Sequence, residues 1–239
     1  MDKENFPSEK SKLIELIDEE NFDFTLKVPF GEDKFIVGFL GKNSKDNNNF
    51  SLLSFFNAFQ NTKENVFKGI NEYLNLNDEN LLPNDDSFLQ YMFNPYIKME
   101  QYYSLENIII RVGSLWDELA HICNIIYNLG KSVRRVKGSI FNNINEQLRH
   151  DNTILNEIYL YYNDDESFAK INCHAFCIKL RNRLIHYCDF NAMKFLSKYM
   201  NEEENLNFYP IGYYFGCVIF DMFKAIEFAK AIYNEYEEQ

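Results

Sequence analysis

Apolar and polar residues change rhythm along the chain, and the change divides it. Near the start, Ser11 to Glu19 reads as a short helix. Phe22, Phe24, Leu26, Val28 and Phe30 then alternate with Asp23, Thr25, Lys27 and Pro29, the period-two signature of a half-buried strand. Gly31-Glu32-Asp33 supplies a turn, and residues 34–40 (KFIVGFL) supply a second strand. The pattern therefore predicts a β-hairpin over about 22–40, with Pro29 keeping its first strand at an edge. Residues 43–49 (NSKDNNN) read as a polar loop, followed by helices at about 51–60 and 63–75. The run DENLLPNDD (78–86) is the best candidate boundary.

From about residue 96 the rhythm becomes helical. Ile108, Val112, Leu115, Leu119, Ile122 and Ile126 step by three or four, as a core-facing stripe does. Ser104 is the expected N-cap of this long helix and Gly130 its stop. Residues 131–149 form a basic connection, partly helical. Ile154–Tyr162 makes a short helix and Ser167 to about Cys188 a long one. A last helix runs from Phe208 to Tyr236, with Pro210 suited to its first turn. The expected fold is mainly α: an antiparallel helical bundle over 91–239, preceded over 1–90 by a small α+β region.

Composition adds limits. The 239 residues are long enough to bury a large core, so disulfides and structural metals are not needed for stability. The five cysteines are an odd number with no paired framework. With no apolar signal core at the N-terminus, reduced thiols and a cytoplasmic setting are the default expectation. No segment reaches the roughly 20 apolar residues that span a bilayer. The abundant Asn and the preference for Lys (18) over Arg (6) reflect coding bias, and are not read as disorder.

The net charge of −12 opposes adventitious binding to nucleic acid or anionic membranes. The charge is uneven, however: residues 1–90 carry a net of −8, whereas 105–190 balance at zero. Five of the six Arg (Arg134, Arg135, Arg149, Arg181 and Arg183) lie between 134 and 183. Arg is the residue suited to forked recognition of phosphate.

Most familiar sites are missing. There is no glycine-rich phosphate loop, no dinucleotide fingerprint and no zinc-protease His pair. Cys173-His174-Ala175-Phe176-Cys177 gathers three soft ligands, but His174 lies about 100° around a helix from Cys173, so small buried thiols are the better reading. Asp117-Glu118 and Asp164-Asp165-Glu166 are carboxylate clusters with structural roles expected. No metal and no cofactor is expected.

The sharpest feature is KLRNRLIHY, residues 179–187. Asn182 and His186 are four apart and share a helix face, while Leu180, Leu184 and Ile185 supply apolar anchorage. At Arg181, Asn182 and His186, with Tyr187 directly after, the chain resembles the HEPN superfamily, whose signature is Arg, a polar residue, a short spacer and His on a late helix of an α-bundle. The resemblance covers roughly 96–239. It implies a metal-independent ribonuclease, often of toxin, phage-defence or RNA-processing systems, that works as a homodimer with both motifs facing one cleft. Other members are non-catalytic modules that dimerise or bind a nucleotide or a protein partner such as an antitoxin.

The implied roles suit the side chains. RNA carries its own nucleophile, the 2′-hydroxyl, and an imidazole moves protons near neutral pH. Arg holds phosphate and offsets charge building on its oxygens. His186 is then the acid/base, Arg181 the phosphate clamp and Asn182 an orienting group, giving a 2′,3′-cyclic phosphate. Arg183, Tyr187, Arg134, Arg135, Lys137 and Arg149 are candidate contacts to the RNA. Tyr159, Tyr161 and Tyr162 could stack on bases, although core burial is their default. One difficulty stands: five helical residues turn about 500°, so Arg181 and His186 differ by about 140°, while Arg183 is only about 60° from His186.

Overall fold

The computed structural model describes residues 10–20, 22–24, 44–76, 99–132, 136–163, 173–186 and 211–237. Among them are seven α-helices: α1 (Lys10–Glu19), α2 (Ser44–Asn75), α3 (Met99–Ile126), α4 (Glu146–Asp151), α5 (Thr153–Asn163), α6 (Cys173–His186) and α7 (Ile211–Glu237). A 3-10 turn, Gly138–Asn143, precedes α4. Among the described residues no helix is long and apolar enough to cross a membrane.

α3 is the axis of the molecule. Its expected stripe is buried from Ile108 through Ile122, but so are Ile109, Trp116, Ala120 and Cys123 around the cylinder. A helix apolar on most sides sits inside a bundle rather than on its surface. α2 lies along one side of α3, and α6, α7 and the 3-10 turn contact it elsewhere. The helix begins at Met99, not at Ser104, which is buried in its second turn. Its end matches expectation: Asn128 and Gly130 take positive φ values of 48° and 71°. Asn124 then brackets the departing chain, accepting from Lys131 N and donating to Lys131 O.

Two other expectations are corrected. The polar run at 44–49 is the first part of α2, a single helix of 32 residues rather than a loop and two helices. The hairpin is not supported. Phe22–Phe24 carry no regular structure, and the rest of the expected hairpin, 25–40, lies outside the described residues. The apolar partners of Phe22 and Phe24 are helix-borne rings. Phe24 is fully buried against Phe56 and Phe59 of α2 and Tyr233 of α7, and Phe22 meets Tyr233 edge-on. Lys63 of α2, also buried, donates to the Phe22 carbonyl. Lys230 of α7 pairs with Glu20 just after α1. The alternating phenylalanines therefore plug the helices instead of facing a sheet.

Candidate functional site

The chemistry-bearing part of the fold is a cleft of about 620 Å³ between α6, the 3-10 turn and α3. Asp117, Lys137, Gly138, Tyr162, His174 and Arg181 line it, with Asn182 and Ile185 at its outer end. Arg181 is seated rather than free. Its Nη2 donates to Asp117 Oδ2 at 2.9 Å, with both side chains mostly but not wholly covered. The other oxygen of Asp117 accepts the Gly138 amide at 2.9 Å. One carboxylate of α3 thus holds both the motif helix and the opposite rim.

Gly113, one turn before Asp117, makes this seat possible. A Cβ there would overlap Cδ of Arg181 and stand 2.6 Å from its Nε. The missing side chain is the groove in which the arginine lies, and Asp117 at i+4 on the same face ends that groove. Arg181 Nε is buried and has no hydrogen-bond partner in the protein.

Deeper in the cleft stands a second polar group. His174 Nδ1 lies 3.0 Å from Oδ1 of Asp221 on α7, and both are almost fully buried. Asp221 also accepts from Tyr161 Oη at 2.9 Å and from Trp116 Nε1 at 3.0 Å. The His174 ring packs on Tyr162 with centroids 3.8 Å apart and meets Trp116 edge-on. The Tyr162 hydroxyl is buried without a partner, and burial raises its pKa above the ordinary phenol value.

The sequence-based candidates separate on this geometry. Arg181, Asn182 and Lys137 come together in the cleft, with Asn182 and Lys137 exposed. Arg149 is elsewhere, its guanidinium 3.7 Å from the ring centre of Tyr159. Arg183 lies in the last turn of α6 and His186 closes it, but their side chains lie outside what the structure describes. Arg134, Arg135 and Tyr187 lie wholly outside the described residues. Of the tyrosines considered for base stacking, Tyr162 is core-facing and Tyr161 is committed to Asp221.

Gly113, His174 and Asp221 were not singled out as functional from the sequence. The one available signal for Gly113 was an isolated glycine inside a strongly periodic helix, which often marks a close approach. Cys177 is a buried free thiol, as is Cys123. Among the described residues no three His, Cys, Asp or Glu side chains gather as a metal site would require.

The late helix α6 presents Arg181 and Asn182 to this cleft, an arrangement consistent with a HEPN-type helical bundle. More narrowly, the family model described as Cthe2314-like HEPN matches residues 82–238, well over half of the chain, and the chain belongs to that family. No curated protein and no solved structure matches it.

Proposed function

We propose that this chain is a metal-independent endoribonuclease of HEPN type. The observation that carries the reading is the Arg181 seat. A guanidinium is held by Asp117 at the wall of a cleft large enough for a nucleotide, with Asn182 and Lys137 beside it. Arg181 has donors beyond the one given to Asp117, and a guanidinium prefers forked contact with phosphate oxygens. His186, five positions on in the same helix, is the proton-transfer group of the motif. RNA supplies the nucleophile: the 2′-oxygen attacks phosphorus, the 5′-oxygen leaves, and a 2′,3′-cyclic phosphate results. A homodimer that brings two motifs to one groove, a cytoplasmic site of action and a toxin or phage-defence setting with an antitoxin-like partner belong to this reading.

The test is incubation of purified full chain with labelled RNA in excess chelator. Cleavage with a cyclic-phosphate terminus, lost in both Arg181→Ala and His186→Ala variants that keep the wild-type circular dichroism, is the expected result. Intact RNA throughout would select the second reading, a non-catalytic HEPN module. The ion pair that already engages Arg181 is the observation favouring that alternative.

A further inference from the structure

His174 and Arg181 are seven positions apart on α6. Seven helical residues turn about 700°, leaving the two about 20° from alignment and about 10.5 Å apart along the axis. Both line the same cleft. The motif pair Arg181 and His186, by contrast, is about 140° out of line. The imidazole that shares a face with Arg181 is therefore His174.

Its hydrogen bonds fix its chemistry. Trp116 Nε1 can only donate, so the oxygen of Asp221 that faces it must accept. The other oxygen accepts the Tyr161 hydroxyl and faces His174 Nδ1. Both oxygens of Asp221 are thus set as acceptors. Nδ1 then carries the ring proton and donates a hydrogen bond to Asp221, which leaves Nε2 with a lone pair. A carboxylate on one nitrogen that orients and strengthens the other as a base is the standard arrangement for imidazole catalysis. A second observation points to an occupant. The Tyr162 hydroxyl, on a residue more than nine-tenths buried whose ring packs at a tilt on His174, lines the cleft with no partner in the protein. A buried polar group left unpaired calls for a ligand or water.

We infer that His174, held by Asp221, is the general base of this cleft and takes the proton of the attacking 2′-hydroxyl while Arg181 holds the phosphate. The inference rests on the ribonuclease reading. In the step, the 2′-oxygen–phosphorus bond forms and the phosphorus–5′-oxygen bond breaks. The 2′-hydroxyl proton passes to His174 Nε2, and the leaving 5′-oxygen takes a proton from water. The protonated His174 ring then returns its proton to the hydroxide so formed. The Tyr162 hydroxyl donates to a phosphate or ribose oxygen.

The test uses the full chain with nitrogen-15 in its histidines. Titration with uridine 3′-monophosphate is expected to shift the His174 Nε2 resonance saturably. His174→Asn keeps an N–H that reproduces the bond to Asp221 while removing the base. It is expected to keep the wild-type melting temperature, to cleave RNA at least ~100-fold more slowly, and to lose the acidic limb of the pH–rate profile. The groups that face His174 and bear on that limb are Asp221 from α7 and Tyr161 and Tyr162 from α5. Asp117, Arg181 and Lys179 lie along the cleft. An RNA-cleaving chain whose His174→Asn variant is as fast as wild type, or whose His174 resonances ignore the nucleotide, overturns the base assignment alone. A wild-type chain that cleaves no RNA overturns the ribonuclease reading and the base role with it.

Discussion

Arg181 owes its position to an atom that is absent. With a methyl group at Gly113 the arginine could not lie across α3, because Cδ and Nε occupy the space. The obstructing atoms belong to a flexible side chain, so the fold itself need not move. Gly113→Ala gains about 1 kcal/mol of helix propensity and loses a charge-assisted bond worth roughly 1.5–3 kcal/mol. Chemical unfolding should show a net change within about 2 kcal/mol, while RNA cleavage falls at least ~10-fold through the displaced clamp. At this scale the sequence was half legible. KLRNRLIHY announced Arg181 and Asn182, because the motif is local. Asp117 is 64 positions away in sequence, and nothing in its surroundings tells which cation it meets. His174 was weighed only against its cysteine neighbours, since its partner Asp221 is 47 positions downstream.

Between elements, two carboxylates do opposite things. Asp221 of α7 collects donors from α3, α5 and α6 and so joins four helices at one buried point. Asp221→Ala would strand the Trp116 N–H, the Tyr161 hydroxyl and the His174 ring together. The expected loss is about 3–5 kcal/mol, measurable as the shift in the urea midpoint. Glu118 of α3 faces α2, where it accepts from the Thr62 hydroxyl at 2.9 Å. Burial pushes its pKa up to about 7, with the Thr62 bond opposing and nearby Asp117 adding to the rise. The folded state therefore holds a proton that the unfolded chain has released. Stability is expected to fall as pH rises from about 4.5 to 7, and then to level. The loss is on the order of 2 kcal/mol. Urea midpoints at pH 5 and pH 8 should differ in wild type and converge in Glu118→Gln. The helices themselves were well marked wherever an apolar face repeats, as along α3. They were missed where the sequence offers no apolar repeat: residues 44–49 (SKDNNN) carry no apolar side chain, so periodicity had nothing to register there. The alternation of Phe22 and Phe24 was real, but two rings docking between helices leave the same trace as a strand edge.

For the molecule as a whole, a net charge of −12 sets the terms on which the proposed ribonuclease would meet RNA. Few cations line the cleft, chiefly Arg181, Lys137 and Lys179, and Asp117 stands among them. Three phosphate contacts on a single strand correspond to a slope of about −2 in log affinity against log salt. Fluorescence anisotropy with a labelled oligonucleotide should return that shallow slope. A steep slope would mean an extended basic track elsewhere on the surface. On the ribonuclease reading, bulk RNA is expected to be a poor ligand. Asp117 gives the cleft a mechanical side. Its two oxygens hold the Gly138 amide and the Arg181 guanidinium at once, so it acts as a caliper between the jaws. Removing that one carboxylate, as in Asp117→Ala, would unfasten both jaws at once.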